Sequence, residues 1–150
     1  MKSLIAGIDP GKGGGIAILG GEQPEAHKMP ETVGDLVDLL RSLAVAGVAV
    51  AYVERVSTSP QMGVVSAGTF MRGLGNIEAT CQAIGIRLEW VAPGVWQREM
   101  KCLTRGDKNV SKRRAQELFP TLRITHALAD ALLIAEYGLR RECARKGVAA

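Results

Sequence analysis

The chain has 150 residues, 47% of them hydrophobic, and a formal net charge of +4. That length suits one domain, residues 1–150, with its own core, and that hydrophobic fraction excludes an intrinsically disordered chain. No apolar run reaches the roughly 18 residues a membrane helix needs; the nearest, Leu43 to Val53, is short and rich in Ala and Gly.

Met1-Lys2-Ser3 leads straight into a strand-like segment, which does not read as a signal peptide. Ser3 to Ile8 is apolar and ends at Asp9-Pro10-Gly11. The glycine-rich turn Gly11 to Gly15 and the apolar run Ile16 to Leu19 complete two strands joined tightly. Pro24 to Met29 reads as a third, poorer strand. Thr32 to Leu43 repeats apolar residues at helical spacing, and Gly47 ends that helix. Val48 to Val53 is a continuous run of β-branched and small residues, the pattern of a buried central strand, and it ends in Glu54.

Ser57 to Met62 is a polar loop with Pro60. Val65 to Ile84 has helical periodicity, and Gly68, Gly73 and Gly75 within it are expected to allow close packing against another element. Arg87 to Val91 alternates like a strand. Gly94 to Met100 reads as a short helix carrying Trp96, and Thr104 to Val110 as a basic loop. Ser111 to Phe119 reads as a helix capped by Ser111, and the last long helix runs from about Thr125 to beyond Arg141. Five strands and several helices in this order predict an α/β fold, a mixed five-stranded sheet flanked by helices.

Charge is unevenly spread. Before Lys101 acids and bases nearly balance; from Lys101 onward bases crowd, including Lys108, Lys112, Arg113 and Arg114. A phosphate-binding edge accounts for this better than a solvated face alone. Cys81, Cys102 and Cys143 are odd in number and widely spaced, which argues against a disulfide framework or a zinc site and for a reducing compartment.

Three acids stand out. Asp9 and Glu54 end strands, where α/β sheets present ligand-binding groups. Asp130 interrupts the apolar face of the last helix, where an isolated carboxylate would be costly. His126 lies four residues before Asp130, on the same helix face. Singly, each acid reads as a turn residue or an ion-pair partner. Together they suit two Mg²⁺ or Mn²⁺ ions at a phosphodiester.

The segments Gly7-Ile8-Asp9-Pro10-Gly11, Val53-Glu54-Arg55-Val56 and Ala129-Asp130-Ala131-Leu132 resemble, in order, the catalytic segments of RuvC-like Holliday-junction resolvases. Trp90 to Trp96 and the segment Ser111 to Ala115 resemble the small phage-type and organellar members. The resemblance implies an RNase H-like fold, a homodimer and paired nicks in a four-way DNA junction. It implies Asp9, Glu54, His126 and Asp130 as catalytic and metal-binding residues. The family usually places a fourth acid three residues before the last aspartate; Ala127 stands there, with His126 one residue earlier. Lys12, Met62, Lys108, Lys112, Arg113 and Arg114 are the expected DNA contacts, Met62 as an apolar wedge near the junction centre. The expected location is cytoplasmic or organellar.

Three other readings share some of these features. A nuclease of the same fold could act on flaps or other branched DNA, and a junction-binding protein could have weakened catalysis. An actin-type or sugar-kinase ATPase also opens with an acid and a glycine hairpin, but needs two domains, and Gly11-Lys12-Gly13 lacks the P-loop spacing.

Overall fold

The computed structural model describes residues 3–147. Its elements are β1 (Leu4–Asp9), β2 (Gly15–Leu19), β3 (Glu25–Lys28), α1 (Val33–Ala46), β4 (Val48–Glu54), α2 (Val64–Ile84), β5 (Arg87–Val91), α3 (Pro93–Glu99), α4 (Lys108–Leu118) and α5 (His126–Arg145). Met1 and Lys2, read as leading into the first strand, lie outside the described residues. Among the described residues no helix is long and apolar enough to cross a membrane.

The sheet order is β3-β2-β1-β4-β5. β1 pairs antiparallel with β2 and parallel with β4, and β4 pairs parallel with β5. This is the expected mixed five-stranded sheet. Strand residues alternate between two cores, as the two-residue repeat of a strand requires. Ile5, Val50 and Tyr52 pack with α3, α4 and α5; Ala6, Ile8, Ala51 and Val53 pack with α1 and α2. β4 is therefore apolar throughout because both of its faces are covered.

α5 is the closest neighbour of the sheet. A Cβ at Gly7 would collide with the backbone of Ala131 and Ala135, and one at Gly138 with the Tyr52 ring. Glycine at position 7 thus lets the helix lie directly on β1.

Helix ends follow side-chain chemistry. Thr32 caps α1 by accepting from the Asp35 N–H at 3.1 Å, and Gly47 closes it at φ 108°. Two expectations are corrected. α4 starts at Lys108, because Asp107 caps it by accepting from the Asn109 N–H at 2.9 Å. Ser111 is buried inside the helix and donates to the Lys108 carbonyl instead. In α2 a Cβ at Gly68, Gly73 or Gly75 would meet nothing within 4 Å, so these glycines make no close contact within the chain itself.

Candidate metal centre at the end of the sheet

β1 and β4 run side by side in parallel, with Ile8 opposite Val53. The next residues, Asp9 and Glu54, therefore end adjacent strands together. By alternation Asp9 shares a face with Ile5 and Gly7, and Glu54 with Val50 and Tyr52, the face that α5 covers. α5 brings its first turns to the same edge. The Ala127 carbonyl lies against Gly15, the register partner of Asp9, and the Ala131 carbonyl lies over Gly7. Asp130 sits between those two contacts along the helix.

The three acids lie near enough to perturb one another. The Asp9 carboxyl is pushed up to about 7, first by burial, then by the negative charges of Glu54 and Asp130, against a partial counter-pull from Lys108. Glu54 is also raised, chiefly by burial, with Asp130 adding to the rise. The Trp96 indole N–H and Lys108 oppose it. Asp130 Oδ1 is buried without a hydrogen-bond partner, and so is the hydroxyl of Thr125 at the N-cap of α5. Buried polar atoms are almost always paired, so an orphaned carboxylate oxygen beside two further acids asks for a cation. Among the described residues no group of three or more His, Cys, Asp or Glu side chains is arranged, as it stands, to hold a metal ion. The donors are carboxylate oxygens, which suit a hard divalent ion such as Mg²⁺ or Mn²⁺.

The other expected residues are distributed as follows. Lys108, at the first residue of α4, lies close enough to act on both Asp9 and Glu54. Lys112 is half-buried and Arg113 exposed on the same helix. Arg114 is engaged inside the protein, donating to the Met100 carbonyl at 2.9 Å and to Glu117 at 3.1 Å. His126 is exposed at the first residue of α5, one turn before Asp130. Lys12 and Met62 line a separate groove of about 960 Å³ that opens beside the turn after Asp9. Phe70 and Arg72 of α2 line the same groove, and the Phe70 ring packs under Gly11.

Sequence reasoning did not single out Trp96, Phe70 or Arg72 for the site. Trp96 donates to Glu54 across 42 positions, a distance over which no local spacing carries a signal. Phe70 stands at a helical apolar position, where a core role is the default expectation.

No protein-family model matches the chain, and no curated protein matches it in sequence. Solved structures match it over almost its whole length. RuvC of Thermus thermophilus in complex with a Holliday junction substrate superposes with a TM-score of 0.61 at 20% identity, covering 97% of this chain and 96% of that one. A second Thermus thermophilus RuvC structure gives a TM-score of 0.60 at 18% identity, covering 97% of each chain. This chain has the RuvC-like, RNase H-like fold.

Proposed function

We propose that the chain is a divalent-metal-dependent endonuclease that cuts branched DNA, with the four-way junction as its main substrate. The observation that carries this reading is the buried, unpartnered Asp130 Oδ1 near Asp9 and Glu54, two carboxyls raised by burial and neighbouring negative charge that Lys108 only partly offsets. Two divalent ions held there would supply an activated water and charge neutralisation at the phosphate. The fold, shared with a RuvC that is bound to a Holliday junction, supports branched DNA as the substrate class.

The chain's own residues divide the remaining work. Asp9, at the strand end before the glycine turn, feels the charge of both other acids and is assigned the centre of the site. Lys108 stands at a helix N-terminus beside the acids, placed to meet a phosphate oxygen. His126, exposed one turn from Asp130, is the fourth group, a ligand or a proton carrier for the leaving oxygen. Lys112 and Arg113 extend the basic edge along the DNA, and Lys12, Met62 and Arg72 line a groove for a strand leaving the junction.

The working form is a homodimer. The first half of α2 leaves Val64 (89% exposed), Val65 (83%) and Met71 (48%) uncovered, while only Ile77 and Cys81 of that helix are buried. Pairing α2 with its copy would cover these residues and set two sites on one junction. Cys81, Cys102 and Cys143 are all free, consistent with work in a reducing compartment.

The test is cleavage of a four-way junction, a flap and a duplex of shared sequence, with Mg²⁺, with Mn²⁺ and with chelator. The expected result is paired nicks in the junction, dependent on metal. Preferential cutting of the flap would move the substrate assignment; tight junction binding with no cleavage in either metal would refute the enzyme.

A further inference from the structure

Trp96 is completely buried, and its indole nitrogen donates to Glu54 Oε2 at 2.7 Å. That is short for an N–H···O bond, as expected when the acceptor carries charge. The chain is built to return this indole to the strand end. Val91 is the register partner of Glu54, and the Arg55 N–H donates to the Val91 carbonyl at 2.7 Å, fixing the end of β5 beside that of β4. Pro93 then starts α3 at once, and one turn later Trp96 faces back toward Glu54.

We infer that Trp96 is a positioning residue: its indole N–H holds the Glu54 carboxylate from behind and fixes its orientation for a bound cation. The inference rests on the metal site proposed above. An indole can only donate, so it occupies one carboxylate oxygen and cannot itself take an ion. Among the described residues Oε1 takes no side-chain hydrogen bond, which leaves it available to an ion. A buried tryptophan needs an acceptor somewhere, and a backbone carbonyl would serve packing equally well. Spending the donor on a candidate ligand serves the site, because hydrogen bonds to ligating carboxylates typically govern metal affinity by 10–100-fold.

The test compares the full-length parent with Trp96→Phe, Glu54→Gln and the double variant. Phenylalanine keeps an aromatic ring and removes the donor. Calorimetric titration with Mg²⁺ should show Trp96→Phe binding the ion on the order of tenfold more weakly. The KM for a four-way junction should change less than twofold while kcat at limiting Mg²⁺ falls. In the Glu54→Gln background the same substitution should alter Mg²⁺ binding less than twofold. Unchanged Mg²⁺ affinity in Trp96→Phe, or an equal loss in both backgrounds, overturns the positioning role. If Trp96→Phe fails to fold, the indole N–H resonance of Trp96, assigned with a Trp90→Phe variant, reads the same bond in native packing. Mg²⁺ should shift it, and an unmoved resonance in a protein that binds Mg²⁺ overturns the role. A parent that binds no Mg²⁺ overturns the metal site itself, and the positioning role with it.

Discussion

The two ends of β4 and α5 handle buried carboxylates in opposite ways. At the far end Glu142 is buried yet held below the usual carboxylate range. Burial alone would raise it, but Arg87 at 2.9 Å, the Tyr52 hydroxyl at 2.9 Å and Arg145 at 3.1 Å more than compensate. At the near end Asp9 and Glu54 are raised, and Asp130 keeps an orphaned oxygen. The same sheet and helix thus carry one carboxylate with its counter-charges supplied and a group of three whose charge Lys108 only partly offsets. The first pattern serves stability. The second costs stability in the free protein and is what a cation site requires.

The largest effect should come from the near end. Asp9→Asn removes a charge and little volume, so junction cleavage should fall by on the order of 10³-fold while junction binding persists. Substantial Mg²⁺-dependent cleavage by that variant would remove Asp9 from the centre of the site. His126→Ala should lower turnover on the order of 10²-fold with an unchanged unfolding temperature. Parent-rate cleavage by it in both Mg²⁺ and Mn²⁺ would make His126 structural.

At the far end the signs reverse. Glu142→Gln should cost about 1–2 kcal/mol at pH 7, a figure kept small because Arg87 and Arg145 are about half exposed and screened by solvent. Cleavage per folded molecule should stay at the parent level. The folded-state pKa of Glu142 is depressed, so its contribution is present above the ordinary value of 4.5 and is lost as pH falls through the lowered one. The deficit of Glu142→Gln, measured by urea unfolding, should therefore vanish at strongly acid pH. A deficit that persists there would assign the cost to packing rather than charge.

The smallest effect concerns the basic edge. Neutralising Lys112 and Arg113 together should weaken junction binding and reduce the slope of log affinity against log salt by about 2. An unchanged slope would leave those two side chains as a solvated face. Arg114 behaves differently, because its bond to the Met100 carbonyl makes it part of the packing between α3 and α4.

Much of the near end was legible in the sequence because it is built from local signals. A strand that ends in Asp9 before glycines, and a doubly buried strand that ends in Glu54, place both acids by periodicity alone. Asp130 betrays itself by interrupting an apolar helix face. The far end was not legible. Tyr52 and Glu142 lie 90 positions apart, and nothing in either segment announces the other. Local competition also misled. Ser111 is a good cap by type, but Asp107 follows Gly106 in a left-handed conformation and reaches the Asn109 N–H first. The glycines of α2 resemble packing notches, yet they make no close contact within the chain itself, a state that no single sequence distinguishes from a buried contact.

The most direct test of the cation-site account is the unfolding free energy of the parent and Asp9→Asn, each at pH 8 and pH 4, with and without Mg²⁺. The folded-state pKa of Asp9 is raised from 3.8 to about 7, so the folded protein binds the proton more tightly than the unfolded chain. The penalty is absent well below 3.8, grows as pH rises through that window and is complete above about 7. Without metal, Asp9→Asn should be more stable than the parent at pH 8 by roughly 1–3 kcal/mol, a gap that shrinks to about 0.5 kcal/mol at pH 4, just above the unfolded-state value. Mg²⁺ at pH 8 should stabilise the parent and close most of that gap, because an ion supplies the missing charge. An Asp9→Asn protein no more stable than the parent at pH 8, with Mg²⁺ shifting neither, would contradict the account.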